Sequence, residues 1–168
     1  MRREQSGRRR RGRRVLLSIL VIIVVLIIGT IWGYHHATAP INKAKSQSIS
    51  MAEKYAGLEK ETAFYWTNLN KTYYTVAGTN KQNKSVYVLV PQKGAQLRVL
   101  QQSAGLTRNQ VLSKVWSQRN PKKVLSAALS VFNGQSAWIV SYMNKKGQLC
   151  YETLSFKSGK LLQLIENI

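Results

Sequence analysis

The chain has 168 residues, with 26 Lys and Arg against 6 Glu, no Asp and a single Cys. One cysteine, Cys150, excludes an internal disulfide and every Cys-rich zinc or iron–sulfur framework. So few carboxylates leave little for general acid–base or hard-metal chemistry, and the length allows one domain or two small ones.

Residues 1–14 hold eight Arg and Glu4, a local charge of +7. Val15 to Gly33 follows, nineteen residues without a charge. As a helix at ~1.5 Å per residue this run is roughly 28 Å long, close to the hydrocarbon thickness of a bilayer. It is too long and too uniformly Leu, Ile and Val for the core helix of a small soluble domain. A short Arg-rich flank stays in the cytoplasm, and Trp32 and Tyr34 suit the opposite interface. The sequence thus predicts a cytoplasmic tail over 1–14, a transmembrane helix over 15–33 and the rest of the chain outside. Ala37-Thr38-Ala39 has the small-residue form of a cleavage site. The apolar run, however, exceeds the roughly 7–15 residues of a signal core, and Pro40 is a poor first mature residue, so an uncleaved signal-anchor is favoured. Topology and attraction to anionic lipid account for the Arg cluster, and no nucleic-acid partner is expected.

Residues 34–168 carry fifteen Lys, three Arg and five Glu, a net charge of +13 spread along the chain. Pro40 is placed at the first turn of a helix reaching about Gly57, with Ile41, Ala44, Ser48, Ala52 and Tyr55 as its small and apolar stripe. The period then changes to two. Strands are expected near Thr62–Leu69, Thr72–Thr79, Ser85–Val90 and Ala95–Gln101, with turns at Asn70, Asn80–Lys84 and Gln92–Gly94. Val86, Val88 and Val90 share one face of their strand and Tyr87 and Leu89 the other, which marks a central strand ended by Pro91.

A second helix is expected over Leu106–Asn120. Thr107 and Gln110 form a capping box, Leu106 and Val111 a hydrophobic staple, and Pro121 is the stop. Val111, Leu112 and Val115 face a core. Four strands follow, near Lys123–Phe132, Gln135–Met143, Gln148–Phe156 and Lys160–Ile165. Asn133-Gly134 is a type I′ hairpin signal, because both central positions of that turn need positive φ. Trp138, Val140 and Tyr142 alternate and should share one face, with Val115 and Trp116 packed on it. Helix and four antiparallel strands therefore occur twice. The order suggests two small modules, 34–103 and 104–168, that share an interface because each is near the lower size limit for a stable core. A single eight-stranded domain is the rival reading.

The sequence offers no catalytic, cofactor-binding or metal site. His35 and His36 are adjacent and cannot grip one ion as an i, i+4 pair would. Cys150 lies in a strand with no base placed to activate it, as an inert half-buried thiol. Glu59 and Glu61 read as surface charge, and Glu152 as an edge or salt-bridged residue. Gly29 and Gly33 form a G-x-x-x-G, a spacing too common in apolar runs to assign a dimer. The remaining candidates are lysines in turns and at a strand start: Lys81, Lys84, Lys122, Lys123, Lys145, Lys146, Lys157 and Lys160. Such side chains keep their charge in water and can meet a polyanion, anionic wall polymer or anionic lipid. A plainly solvated surface is the alternative.

Several segments carry a resemblance: Tyr73-Tyr-Thr-Val-Ala-Gly-Thr79, Ser85-Val-Tyr-Val-Leu-Val-Pro91, Lys123-Val-Leu-Ser-Ala-Ala-Leu129, Trp138-Ile-Val-Ser-Tyr142 and Leu154-Ser-Phe-Lys-Ser-Gly-Lys160. With the basic tail and single span, they resemble the TseB-like (YpmB-type) cell-wall elongation regulators. The ending is similar to that of PepSY-type modules. The resemblance implies an α+β fold: one N-terminal transmembrane helix and two tandem cystatin-like modules, the second PepSY-like, each a helix packed on an antiparallel sheet. It implies a non-enzymatic membrane protein of Gram-positive bacteria, regulating peptidoglycan elongation by contact with a penicillin-binding protein. An inhibitor or chaperone of an extracellular peptidase is the alternative, since PepSY-type and cystatin-like modules also resemble such proteins. The shared motifs are turns and core strands, so they assign no site residue.

Overall fold

The computed structural model describes residues 4–69, 71–93 and 96–166, with side chains from 17 onward. The expected turn positions Asn70 and Gly94, and Ala95 at the expected start of the fourth strand, lie outside the described residues. Helix α1 is Glu4–Ala56. Strands β1 (Leu58–Asn68), β2 (Thr72–Asn80), β3 (Ser85–Pro91) and β4 (Arg98–Gln101) follow, then a 3-10 turn at Gln102–Ala104 and helix α2 (Arg108–Arg119). Strands β5 (Lys123–Phe132), β6 (Gln135–Met143), β7 (Leu149–Ser155) and β8 (Leu161–Ile165) complete the chain. The fold is α+β. The eight strands form two antiparallel sheets in the orders β1-β2-β3-β4 and β5-β6-β7-β8.

The chain divides into Met1–Lys43 and a compact unit, Ala44–Ile168. In the first, α1 contains an apolar stretch long enough to cross a membrane, with a mean hydropathy of 2.6. Pro40 does not start a helix: it lies inside α1. Proline removes one N–H, so the carbonyl of His36 loses its partner. That is one bond in an exposed stretch between two strong helical segments, a cost of ~3 kcal/mol that the rest of a long helix absorbs. The helix stops at Ala56 because Gly57 takes a left-handed φ of 62°, after which its carbonyl accepts from the Lys81 N–H at 3.0 Å.

In the compact unit the C-terminal turns of α1 cover one face of the first sheet. Ala52, Leu58, Val76, Val86, Val88 and Val90 form that core, with Ile49 and Ala56 at its margin. β3 serves two cores, as its double apolar pattern requires. Tyr87 and Leu89 on its other face join Tyr73, Ala77, Val111, Val115, Leu129, Trp138, Val140, Tyr142 and Leu154 in a second core, built from both sheets and α2. Trp138 lies at its centre. The indole meets Tyr87 edge-on at 5.6 Å between centroids and Tyr65 at 6.1 Å, and its N–H donates to the Leu106 carbonyl at 2.8 Å. Hydroxyls also cross between the sheets. Thr75 Oγ1 donates to the Leu129 carbonyl at 2.8 Å, and Thr67 Oγ1 to Ser130 Oγ at 2.7 Å.

Local signals act as expected. Gln110 N–H donates to Thr107 Oγ1 at 3.3 Å and Thr107 N–H to Gln110 Oε1 at 2.8 Å, closing the capping box. Asn133 and Gly134 have φ of 46° and 80°. Two expectations are corrected. β1 begins at Leu58, four residues before the expected Thr62, because two register irregularities, Leu58/Lys60 and Glu61/Ala63, break its alternation. Trp116 does not pack on the sheet: it is 47% exposed. The buried stripe of α2 is Val111 and Val115, at i, i+4, and Trp116 lies about 100° away around the helix.

The two tryptophans should separate in a denaturant titration. Trp138→Ala is expected to cost about 3–5 kcal/mol, through a large cavity and an orphaned Leu106 carbonyl. Trp116→Ala should stay within about 0.5 kcal/mol of the parent. Equal shifts of the two midpoints would contradict this placement.

Candidate functional site

All eight candidate lysines are exposed. Among the described residues none of them takes part in an ion pair; the two pairs present are Lys45–Glu61 at 2.9 Å and Arg119–Glu152. The topology brings four together. Lys123 is paired with Met143 across β5 and β6, the Lys122 N–H donates to the Met143 carbonyl at 2.8 Å, and Lys145 and Lys146 sit in the turn that follows Met143. The other four are not part of this group. Lys81 and Lys84 flank the β2–β3 turn of the first sheet, and Lys157 and Lys160 the β7–β8 turn at the opposite end of the second. The Lys145–Lys146 turn is held by Asn144, whose Oδ1 accepts from the backbone of Lys146 at 2.9 Å and of Gln148 at 3.0 Å. A side chain that ties its own turn leaves both ammonium groups pointing to water.

Sequence reasoning missed a cleft of about 310 Å³ where the β1–β2 and β5–β6 turns meet. Leu69, Lys71, Tyr73, Arg98, Val131 and Phe132 line it, together with the Asn133-Gly134 turn. Its wall carries two cations and no carboxylate. Arg98 Nη1 donates to the Gly134 carbonyl at 2.7 Å, which ties the first sheet to the hairpin of the second. Nothing local marks the cleft in the sequence, because its walls come from three separate segments.

The chemistry-bearing side chains are placed for structure. Glu152 is not at an edge: it lies on the inner strand β7 and is buried. Arg119 at the end of α2 reaches it with both arms of its guanidinium, Nε to Oε2 at 3.2 Å and Nη2 to Oε1 at 3.4 Å. That bond raises the Arg119 pKa further. Cys150 is fully buried rather than half-buried, and its thiol lies 3.7 Å from the Gln148 carbonyl. Opposite Cys150 in the ladder stands Tyr142, whose buried hydroxyl has no hydrogen-bond partner among the described residues. Burial pushes that hydroxyl up to about 12, and the neighbouring Cys150 and Glu152 add to the shift. His36 stacks on Trp32 at 4.8 Å and His35 lies edge-on to Tyr34. Among the described residues no three His, Cys, Asp or Glu side chains converge as metal ligands would.

Two helix-backed antiparallel sheets joined by one core, with exposed cations and an apolar N-terminal helix, define the class: an α+β protein whose surface is basic. The comparisons narrow it. Residues 47–91, the end of α1 through β3, match the family described as the cell wall elongation regulator TseB-like domain. A Bacillus subtilis (strain 168) protein described as a probable cell wall elongation regulator, TseB, is 25% identical over 135 residues, 79% of this chain and 76% of that protein. The solved structure of the YpmB protein from Bacillus subtilis shares the fold, with a TM-score of 0.64 at 24% identity over 72% of this chain and 95% of that one. Over these residues the chain is similar to the TseB-like (YpmB-type) family.

The orphaned Tyr142 hydroxyl has a measurable signature in alkali. Its folded pKa of about 12 stands above the ordinary value of 10.0, so its contribution to stability is complete below pH 10 and is lost as the pH rises through 12. Tyr142→Phe should flatten that part of the stability–pH curve. At neutral pH it should stabilise the protein by about 1 kcal/mol, since the variant buries no unpaired hydroxyl. Parallel curves for parent and variant between pH 10 and 12 would assign the alkaline loss to other groups.

Proposed function

We propose that this protein is a membrane-anchored, non-enzymatic regulator of cell-wall elongation that acts outside the membrane by contact with a penicillin-binding protein. The observation that carries the reading is the family match over the end of α1 and β1 to β3, together with a relative described as a probable cell wall elongation regulator. The anchor is the apolar part of α1, and its direction follows from the +7 tail before it. Regulation by contact fits side chains that hold one another in ion pairs and cores rather than facing a reacting group. Crosslinking in native membranes tests it. A penicillin-binding protein should dominate the adducts, and protease added to cells stripped of their wall should digest 34–168 while sparing the Arg-rich tail. A peptidase as the main adduct, or a soluble product beginning at Pro40, would contradict the reading.

The lysines supply a second, weaker attachment to anionic wall polymer or anionic lipid. A net charge of roughly 2–8 is enough to keep a small domain soluble, and the +13 over 34–168 exceeds it. The group Lys122, Lys123, Lys145 and Lys146 is the strongest local concentration, because the fold brings two turns' worth of charge to one end of a sheet. The protein should co-sediment with walls that keep their anionic polymer, and binding should fade as salt shortens the Debye length below its physiological ~8 Å. Neutralising those four lysines should reduce binding more than neutralising Lys81, Lys84, Lys157 and Lys160. Binding that ignores salt, or that is equal on stripped walls, would leave the lysines as a solvated surface.

A further inference from the structure

The two edges of the second sheet are treated differently. On β5 the carbonyls of Ala127 and Leu129 are taken up by Arg108 Nε at 3.3 Å and by Thr75 Oγ1 at 2.8 Å. Among the described residues no hydrogen bond reaches β8 except from β7. A free edge presents unpaired N–H and C=O groups to any strand that can align with it, and proteins guard such edges with charge, proline or brevity. β1 has two register irregularities and the charged Glu59, Lys60 and Glu61, and β4 is four residues long. β8 reads Leu-Leu-Gln-Leu-Ile, with neither charge nor proline, and Leu161 is 43% exposed. A register irregularity at its start, beside Leu154, is its only guard.

The sequence around β8 says what fits there. Lys160 to Glu166 reads Lys-Leu-Leu-Gln-Leu-Ile-Glu, and both end residues are exposed. Laid antiparallel against itself about Gln163, it sets Leu161 opposite Ile165, Leu162 opposite Leu164 and Gln163 opposite Gln163. Each Lys160 then faces a Glu166. The irregularity beside Leu154 shifts the phase of Lys160 and Leu161 against that of Gln163 to Glu166, so equal parity matches the backbone groups only at the centre of the contact, about Gln163, and the ends meet through their side chains. We propose that β8 pairs with β8 of a second copy of this chain about a two-fold axis at Gln163, joining two four-stranded sheets into one of eight strands. The contact is isologous, so it closes at two copies. The end charges choose the register: a parallel pairing would set Lys160 on Lys160 and Glu166 on Glu166, where like charges repel.

The test uses the full chain in its own membrane, with Cys150→Ala as background so that one thiol is present. Gln163→Cys should give a disulfide-linked dimer under mild oxidation, because a residue on the axis faces itself. Leu161→Cys alone should give little, while Leu161→Cys and Ile165→Cys chains expressed together should give a mixed dimer. Lys84→Cys, in an exposed turn, measures random collision. The charges give an independent reading. Lys160→Glu and Glu166→Lys should each lower the Gln163→Cys dimer yield, roughly two- to tenfold for two lost pairs, and the double exchange should restore it. Yields at 163 no higher than at 84, adducts only to a different protein, or no rescue by the double exchange would overturn the proposal.

Discussion

The structure depends on the setting of one side chain. Trp138 stands on an inner strand of the second sheet with its ring edges against Tyr65 and Tyr87 of the first and its N–H on the Leu106 carbonyl. One bulky group thus fixes three things: the distance between the sheets, the position of the segment entering α2, and the burial of the aromatic face of β3. An aromatic hub suits this task because edge-to-face contacts have a preferred geometry, whereas aliphatic packing tolerates sliding. Neither sheet could bury that face alone, and the shared core holds both sheets within one compact unit, Ala44–Ile168.

Around that hub the polar groups are arranged to leave few orphans. Thr67, Thr75 and Ser130 give the interface a hydrogen-bond register as well as an apolar one. Arg119 lets a carboxylate sit inside a sheet by meeting it with two donors, an arrangement that fixes geometry more than it adds stability. Tyr142 is the exception among the described residues, with a buried hydroxyl left unpaired in an otherwise well-paired core.

Much of the fold was legible because its signals are local. The capping box at Thr107 and Gln110, the Asn133-Gly134 turn and the two-faced pattern of Val86 to Val90 each lie within a few residues, and each is realised. What was not legible depends on distance or on context. Arg119 and Glu152 are thirty-three residues apart and no spacing links them. The cleft beside Lys71 and Arg98 exists only once two hairpins meet. Trp116 looked like core by hydrophobicity, but a helix buries a stripe and not a composition. Pro40 looked like a start, but a long helix can carry one missing bond. The lysines were legible as exposed; that four of them gather at one end of a sheet was a property of topology.

The hydroxyl links between sheets have a consequence for how the chain is made. Thr75 and Leu129 are fifty-four residues apart, and Thr67 and Ser130 sixty-three. The first sheet can pair its strands as soon as β4 has emerged, but its inner face, with Tyr73, Tyr87 and Leu89, waits for β5 and β6. During that interval an aromatic surface stands uncovered at a crowded site of synthesis, with contacts of high sequence separation still to form. The chain's strong positive charge acts at that stage as well as in the finished protein, since like-charged nascent chains keep their sticky faces apart.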